Sequence, residues 1–179
     1  MTHRDYLLIG FALLSGGLAF LLWRERRRRA NRPGDRRILF PFDESTLSHT
    51  ALDATLRIAR AERATLVPDY LAVVPLQVSL EAPLPRQSDR AVRLLDAIEM
   101  RAAEAGVPVD SRIEPGRSYR HALRRTLFRE RLDRVIVAAE SDCGNGFRSE
   151  DIAWMLDHTG TELLVLKAAP NSAVGLTAA

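Results

Sequence analysis

The sequence predicts an α/β domain, a five-stranded parallel sheet with helices on both faces, preceded by one N-terminal transmembrane helix. Three observations lead there. An 18-residue stretch near the start carries no charge. Short apolar runs then alternate with amphipathic segments in the order β-α-β-α-β-α-β-α-β, and charge is divided unevenly along the chain. Alternating strands and helices imply parallel pairing, because right-handed crossovers lay the helices over the sheet.

The apolar stretch follows a short N-terminus, residues 1–5, and runs from Tyr6 to Trp23 as YLLIGFALLSGGLAFLLW. As a helix it rises roughly 27 Å, close to the hydrocarbon thickness of a bilayer. Tyr6 and Trp23 stand at its ends, where amphipathic rings favour the headgroup level. A cleaved signal peptide would place basic residues before the apolar run and a small-residue site after it. Here the start, MTHRD, is nearly neutral and the far side is RERRRR. The positive-inside rule therefore puts the N-terminus outside and the rest in the cytoplasm, in a single-pass protein of the inner (cytoplasmic) membrane. Ala12 with Gly16, and Ser15 with Ala19, have the spacing that lets membrane helices approach closely, although small residues are common in such helices anyway.

Residues 24–37 form an arginine-rich juxtamembrane linker. It holds eight arginines against Glu25 and Asp35, a local net of +6. Arg24, Arg26, Arg27, Arg28 and Arg29 act as topology determinants and can bind anionic lipid headgroups. Residues 38–179 carry 17 basic and 20 acidic side chains, a net of −3. A nucleic-acid-binding domain would carry its basic charge on the folded surface, so that class of partner is excluded. These residues are enough for one domain with its own core. Cys143 is the only cysteine, so no intramolecular disulfide forms, which suits a reducing compartment.

Within the domain, Ile38–Phe42 (ILFPF) reads as a buried strand. Ser45 or Ser48 caps the next helix, which runs to about Ala61 with Leu52, Leu56 and Ala59 on one face. Thr65–Val74 is a second strand, interrupted by Pro68 and Asp69, and Pro75–Ser88 is a loop. Ala91, Leu94, Leu95, Ile98 and Ala102 recur at helical spacing over Asp89–Ala105, with Gly106 as the stop. Val107–Glu114 alternates as an edge strand would. Gly116 and Ser118 open a third helix ending near Arg131. Arg134–Ala139 (RVIVAA) is a buried strand. After a polar loop, Ser149 caps a helix carrying Ile152, Met155 and Leu156, which Gly160 stops. Glu162–Lys167 (ELLVLK) is the last strand, the domain closes at residue 168, and 169–179 is a flexible tail. Ligands of such folds bind beyond the carboxyl ends of the strands, which points to the loops after Phe42 and Ala139.

Over about residues 36–168 the sequence resembles the universal stress protein family. RRILFPFDESTLSHTALDATLRIA is similar to that family's opening strand, Asp-containing turn and first helix. LAVVP, EAGVPVDSRIEPGRS, DRVIVAA and LLVLK follow in the family's order and spacing. The resemblance implies a Rossmann-like fold with strand order 3-2-1-4-5, and homodimers paired through the last strand. Nucleotide-binding members carry Gly-x-x-Gly, nine further residues, then Gly-Ser or Gly-Thr, where glycines let backbone N–H groups reach phosphate oxygens. Here Ala138 and Ala139 stand where the first glycine belongs, Gly144 and Gly146 are spaced Gly-x-Gly, and Ser149-Glu150 occupies the Gly-Ser position. Glu150, with Asp142 and Asp151 nearby, brings like charge to a phosphate site. What remains of a nucleotide pocket is Asp43, at the family's adenosine-contacting aspartate, with Val73, Ala139 and Ser149. Asp43 equally fits a turn aspartate that bonds local backbone.

No catalytic constellation is present in the sequence. Cys143 lies among acids that raise a thiol pKa and is read as unreactive. His49, His121 and His158 have no ligand spacing, so no metal is expected, and His158 suits a helix C-terminus. The expectation is a membrane-tethered, non-enzymatic regulatory or interaction module without tightly bound cofactor, whose partners are membrane lipid, a second copy, or another membrane protein. Two alternatives stand beside it. One is a nucleotide-binding (ATP or AMP) stress sensor at the membrane, and the other an accessory assembly subunit of a membrane complex.

Overall fold

The computed structural model describes residues 36–80, 85–140 and 145–167. The apolar segment 6–23, the arginines from Arg24 to Arg29, Asp142, Cys143, Gly144 and the tail lie outside the described residues. Among the described residues, no helix is long and apolar enough to cross a membrane. A compact unit begins at Arg36.

Five strands, β1 (Arg37–Phe42), β2 (Thr65–Val73), β3 (Arg112–Gly116), β4 (Arg134–Ala139) and β5 (Glu162–Lys167), form one sheet in the order β3-β2-β1-β4-β5. Every pairing is parallel. The crossovers are α1 (His49–Glu62), α2 (Pro85–Glu104), α3 (Tyr119–Arg129) and α4 (Ser149–His158). One face of the sheet, with Ile38, Phe40, Phe42, Leu66 and Ile136, packs against Leu52 and Leu56 of α1 and Leu95 and Ile98 of α2. The other, with Leu39, Val67, Leu71, Val135 and Val137, packs against Leu123 of α3 and Met155 of α4. Strand residues alternate between the two cores because successive side chains point to opposite faces. Among the described residues, both cores are built from residues 38–166, and the compact unit that begins at Arg36 holds them both, as an independently folding domain does.

Local chemistry sets the element ends. Ser48, not Ser45, caps α1, its hydroxyl accepting from the Ala51 amide at 3.4 Å. Gly106 adopts φ +71° after α2, and the Val107 amide returns to the Ala102 carbonyl at 2.8 Å. Pro85 begins α2 a turn earlier than apolar periodicity indicates, since a proline at the first helical position forfeits no hydrogen bond.

Several expectations are corrected. The third strand starts at Arg112 rather than Val107, which makes only an isolated bridge from Val109 to Leu66. Gly116 ends β3 instead of opening a helix: a Cβ there would stand 2.5 Å from the Ala122 amide nitrogen. Ser118 caps α3, which ends at Arg129. The N-cap of α4 is Arg148, without a side-chain bond, so Ser149 is the first helical residue. Leu156 is exposed, because α4 turns only Met155 and Asp151 fully inward. Gly160 follows a Thr159 cap and has no left-handed φ.

The N-terminal edge of the sheet is held by ion pairs. Arg37, 5% exposed, reaches Asp110 at 2.7 Å and Glu130 at 3.4 Å, while Arg112 reaches the same two acids at 2.8 and 2.5 Å. Burial pushes the Asp110 carboxyl up, but hydrogen bonds from Arg112 and Arg37 outweigh it and hold it below the usual carboxylate range. Arg36 pairs with Glu62 at 3.2 Å. Arg36 and Arg37, expected at the end of the arginine-rich linker, therefore belong to the domain.

Candidate functional site

Parallel order brings Val73, Asp43 and Ala139 to the carboxyl ends of three neighbouring strands, β2, β1 and β4. That is the edge at which folds of this kind hold ligands, at the point where strand order reverses. Ser149 stands at the start of α4, beyond the same edge.

Asp43 closes the turn after β1. Its Oδ1 accepts from the Ser45 amide (2.8 Å), the Ser45 hydroxyl (2.7 Å), the Thr46 amide (2.9 Å) and the Thr46 hydroxyl (3.0 Å). The Leu47 amide donates to the Asp43 carbonyl at 3.1 Å. This is the local-turn role that the sequence left open, and all four side-chain bonds fall on one carboxylate oxygen. Glu44, next in the turn, is paired with Arg90 of α2 at 2.8 Å and accepts from the Tyr70 hydroxyl at 3.4 Å. Burial raises the Tyr70 phenol above its usual value, with the charges of Glu44 and Asp43 adding to the effect.

Val73 ends β2 with 43% of its surface exposed, opposite Gly116 on β3. Beyond it the loop is fixed by a residue that sequence reading passed over. Arg117 donates to the carbonyls of Pro75 (2.5 Å), Val78 (2.8 Å) and Val74 (3.4 Å). All three contacts come from Nη1, whose two hydrogens are shared among the three carbonyls. Only an arginine just after a glycine marked it in sequence, and its partners lie about 40 residues away.

The loop after β4 is the most informative part of the edge. Phe147 turns back into the second core, 2% exposed and 6.0 Å from the Tyr119 ring. Its amide donates to the Ala138 carbonyl at 2.7 Å, and the Glu140 amide donates to its carbonyl at 2.8 Å. Gly146 is needed for this crossing, since a Cβ would lie 2.5 Å from the Ala139 carbonyl oxygen. In a phosphate cradle such amides are aimed at ligand oxygens; here two are spent on the protein's own backbone. A glycine that resembled a remnant of the phosphate motif has a steric purpose.

Glu150 is exposed, but Asp151 is buried toward α3. Asp151 accepts from the Tyr119 hydroxyl and from Arg120 at 2.8 Å. Burial, then the bond to Asp151, raises the Tyr119 phenol. The negative charge expected of Asp151 at the phosphate position is thus neutralised within the protein, leaving Glu150 as the solvent-facing acid in the first turn of α4. Among the described residues, no group of three or more His, Cys, Asp or Glu side chains could hold a metal ion.

Fold and strand order are those of universal stress protein structures. One from Burkholderia pseudomallei is 23% identical, with a TM-score of 0.58, covering 76% of this chain and 100% of that one. A universal stress protein in complex with cAMP is 17% identical, with a TM-score of 0.55 over 76% of this chain and 100% of the other. An Arabidopsis thaliana protein of the family with AMP bound is 16% identical, with a TM-score of 0.54 over 76% and 94%. No protein-family profile matches the sequence, and no curated protein matches it. At these identities the likeness establishes the fold alone.

Proposed function

We propose that this chain is a membrane-tethered, non-enzymatic module of universal stress protein-like fold that works by protein interaction and holds no ATP tightly. The observation that carries the reading is the pairing of Phe147 with Ala138 and Glu140 at the end of β4. The amides of Glu140 and Phe147 are already bonded, and Glu150 holds a charge that repels phosphate. The tether rests on residues 6–23 and their arginine flank. Interaction partners are a second copy and another membrane protein. Support for a second copy comes from β5, an edge strand whose Val165 is 36% exposed and whose Leu163, Leu164 and Leu166 are half-buried.

A nucleotide sensor is the second reading, favoured by neighbours solved with cAMP and AMP. Asp43 and exposed Val73 would meet the nucleoside. A monophosphate or cyclic nucleotide asks less of the β4 loop than a triphosphate does.

The tether is tested by alkaline carbonate extraction of membranes from cells expressing the full chain. The full chain is expected to stay in the pellet, and a chain starting at Arg36 to be washed out. Release of the full chain into the supernatant would overturn the tether and leave the interaction role to be judged on the domain alone.

A further inference from the structure

We infer that the outer ridge of α3, formed by Arg124 and Phe128 with Arg131 just beyond its end and Trp154 of α4 beside it, is a docking surface for an anionic lipid bilayer. Phe128 is 91% exposed, the most exposed of the large apolar side chains in the described residues, on a helix that contains four arginines and no acid. Arg124 and Phe128, four residues apart, share one face of α3, and Arg131 is exposed just beyond its end. The Arg124 guanidinium lies 5.5 Å from the centre of the Trp154 ring, and Trp154 stacks on His158 at 4.5 Å. Apolar and aromatic side chains set among cations make the pattern that settles at the headgroup boundary of anionic membranes.

Charge and position both favour that occupant. The acids nearest α3 are already committed: Glu114 to Arg125 and Arg129, Glu130 to Arg112 and Arg37, and Asp151 to Arg120. The exposed acids that remain are Asp157 on α4 and Asp133 after α3, the latter accepting from the Arg37 amide. The surface also lies at the edge where the chain joins the sheet. The Asp133 amide donates to the Arg37 carbonyl at 3.0 Å, and the Arg37 amide to Asp133 Oδ2 at 2.7 Å. The segment carrying Phe128 and Arg131 is therefore bonded to Arg37, the first residue of β1.

The test uses residues 36–179, which hold the whole surface and both cores, so its result does not depend on whether 6–23 spans a bilayer. The fragment is floated with vesicles of phosphatidylcholine alone and of phosphatidylcholine mixed with phosphatidylglycerol, with circular dichroism as the folding control. Binding is expected on the anionic vesicles and to weaken with salt. Phe128→Ser should reduce partitioning roughly tenfold, given the apolar surface it withdraws. The double variant Arg124→Glu, Arg131→Glu should reduce it by more than about tenfold. Equal binding to neutral vesicles, or binding that both variants leave unchanged, would overturn the inference. So would a concentration-dependent dimer abolished by Phe128→Ser in a fragment that ignores vesicles, which would give the ridge to a second copy. Failure here leaves the carbonate result standing, and the reverse also holds.

Discussion

Asp69 sits inside β2 with no exposed surface, its carboxylate bonded by the Thr126 hydroxyl at 2.5 Å. Burial lifts its pKa from 3.8 to about 7, against the Thr126 hydrogen bond, which lowers it. The folded protein thus keeps this proton where the unfolded chain loses it. Between about pH 4 and 7 the native state binds more protons, so Asp69 makes stability fall as pH rises through that window. Asp69→Asn, neutral throughout, should unfold at higher urea than the parent at pH 8, by up to a few kcal/mol, and near the parent at pH 4. Parallel urea midpoints for the two proteins across that range would refute this account. Glu62 and Asp110, whose pKa values are lowered, act in the opposite sense and cancel in the comparison. Sequence shows Asp69 only as an interruption in an apolar run. Its partner lies 57 residues away on α3, and no local pattern connects them.

At the scale of elements, regular segments were legible and their junctions were not. Apolar runs gave β1, β2, β4 and β5 to within a residue, because strands buried by a covering layer read as continuous hydrophobic stretches. β3 was misplaced because an edge strand with Pro115 and half-exposed residues has little hydrophobic signal. The loop after β4 was judged by counting glycines, yet the placement of its described end depends on Phe147 entering the second core, a tertiary fact. Phe147→Ala should cost about 3–5 kcal/mol of domain stability. Gly146→Ala should also destabilise the domain, since its Cβ meets backbone that cannot yield easily. Urea denaturation of each variant checks both. A Gly146→Ala protein as stable as the parent would mean that the crossing after Ala139 is looser than described.

For the whole molecule, the sheet order and the layering followed from alternation and from the family resemblance, and both agree with the structure. Function was less legible because the same fold supports different sites, and a site is decided by the few backbone groups left free at one edge. At this edge the described loops bond largely to themselves, through Asp43, Arg117 and Phe147. The uncharged stretch and its arginine flank remain a matter of sequence, and the proposal is that the module they would tether is a universal stress protein-like domain without a working triphosphate cradle. The most direct test of that claim is titration calorimetry of residues 36–179 with ATP, ADP, AMP and cAMP. Flat heats with ATP and ADP are predicted, and at most weak heats with AMP or cAMP. Stoichiometric, tight binding of ATP would contradict the account and transfer the chain to the nucleotide sensors.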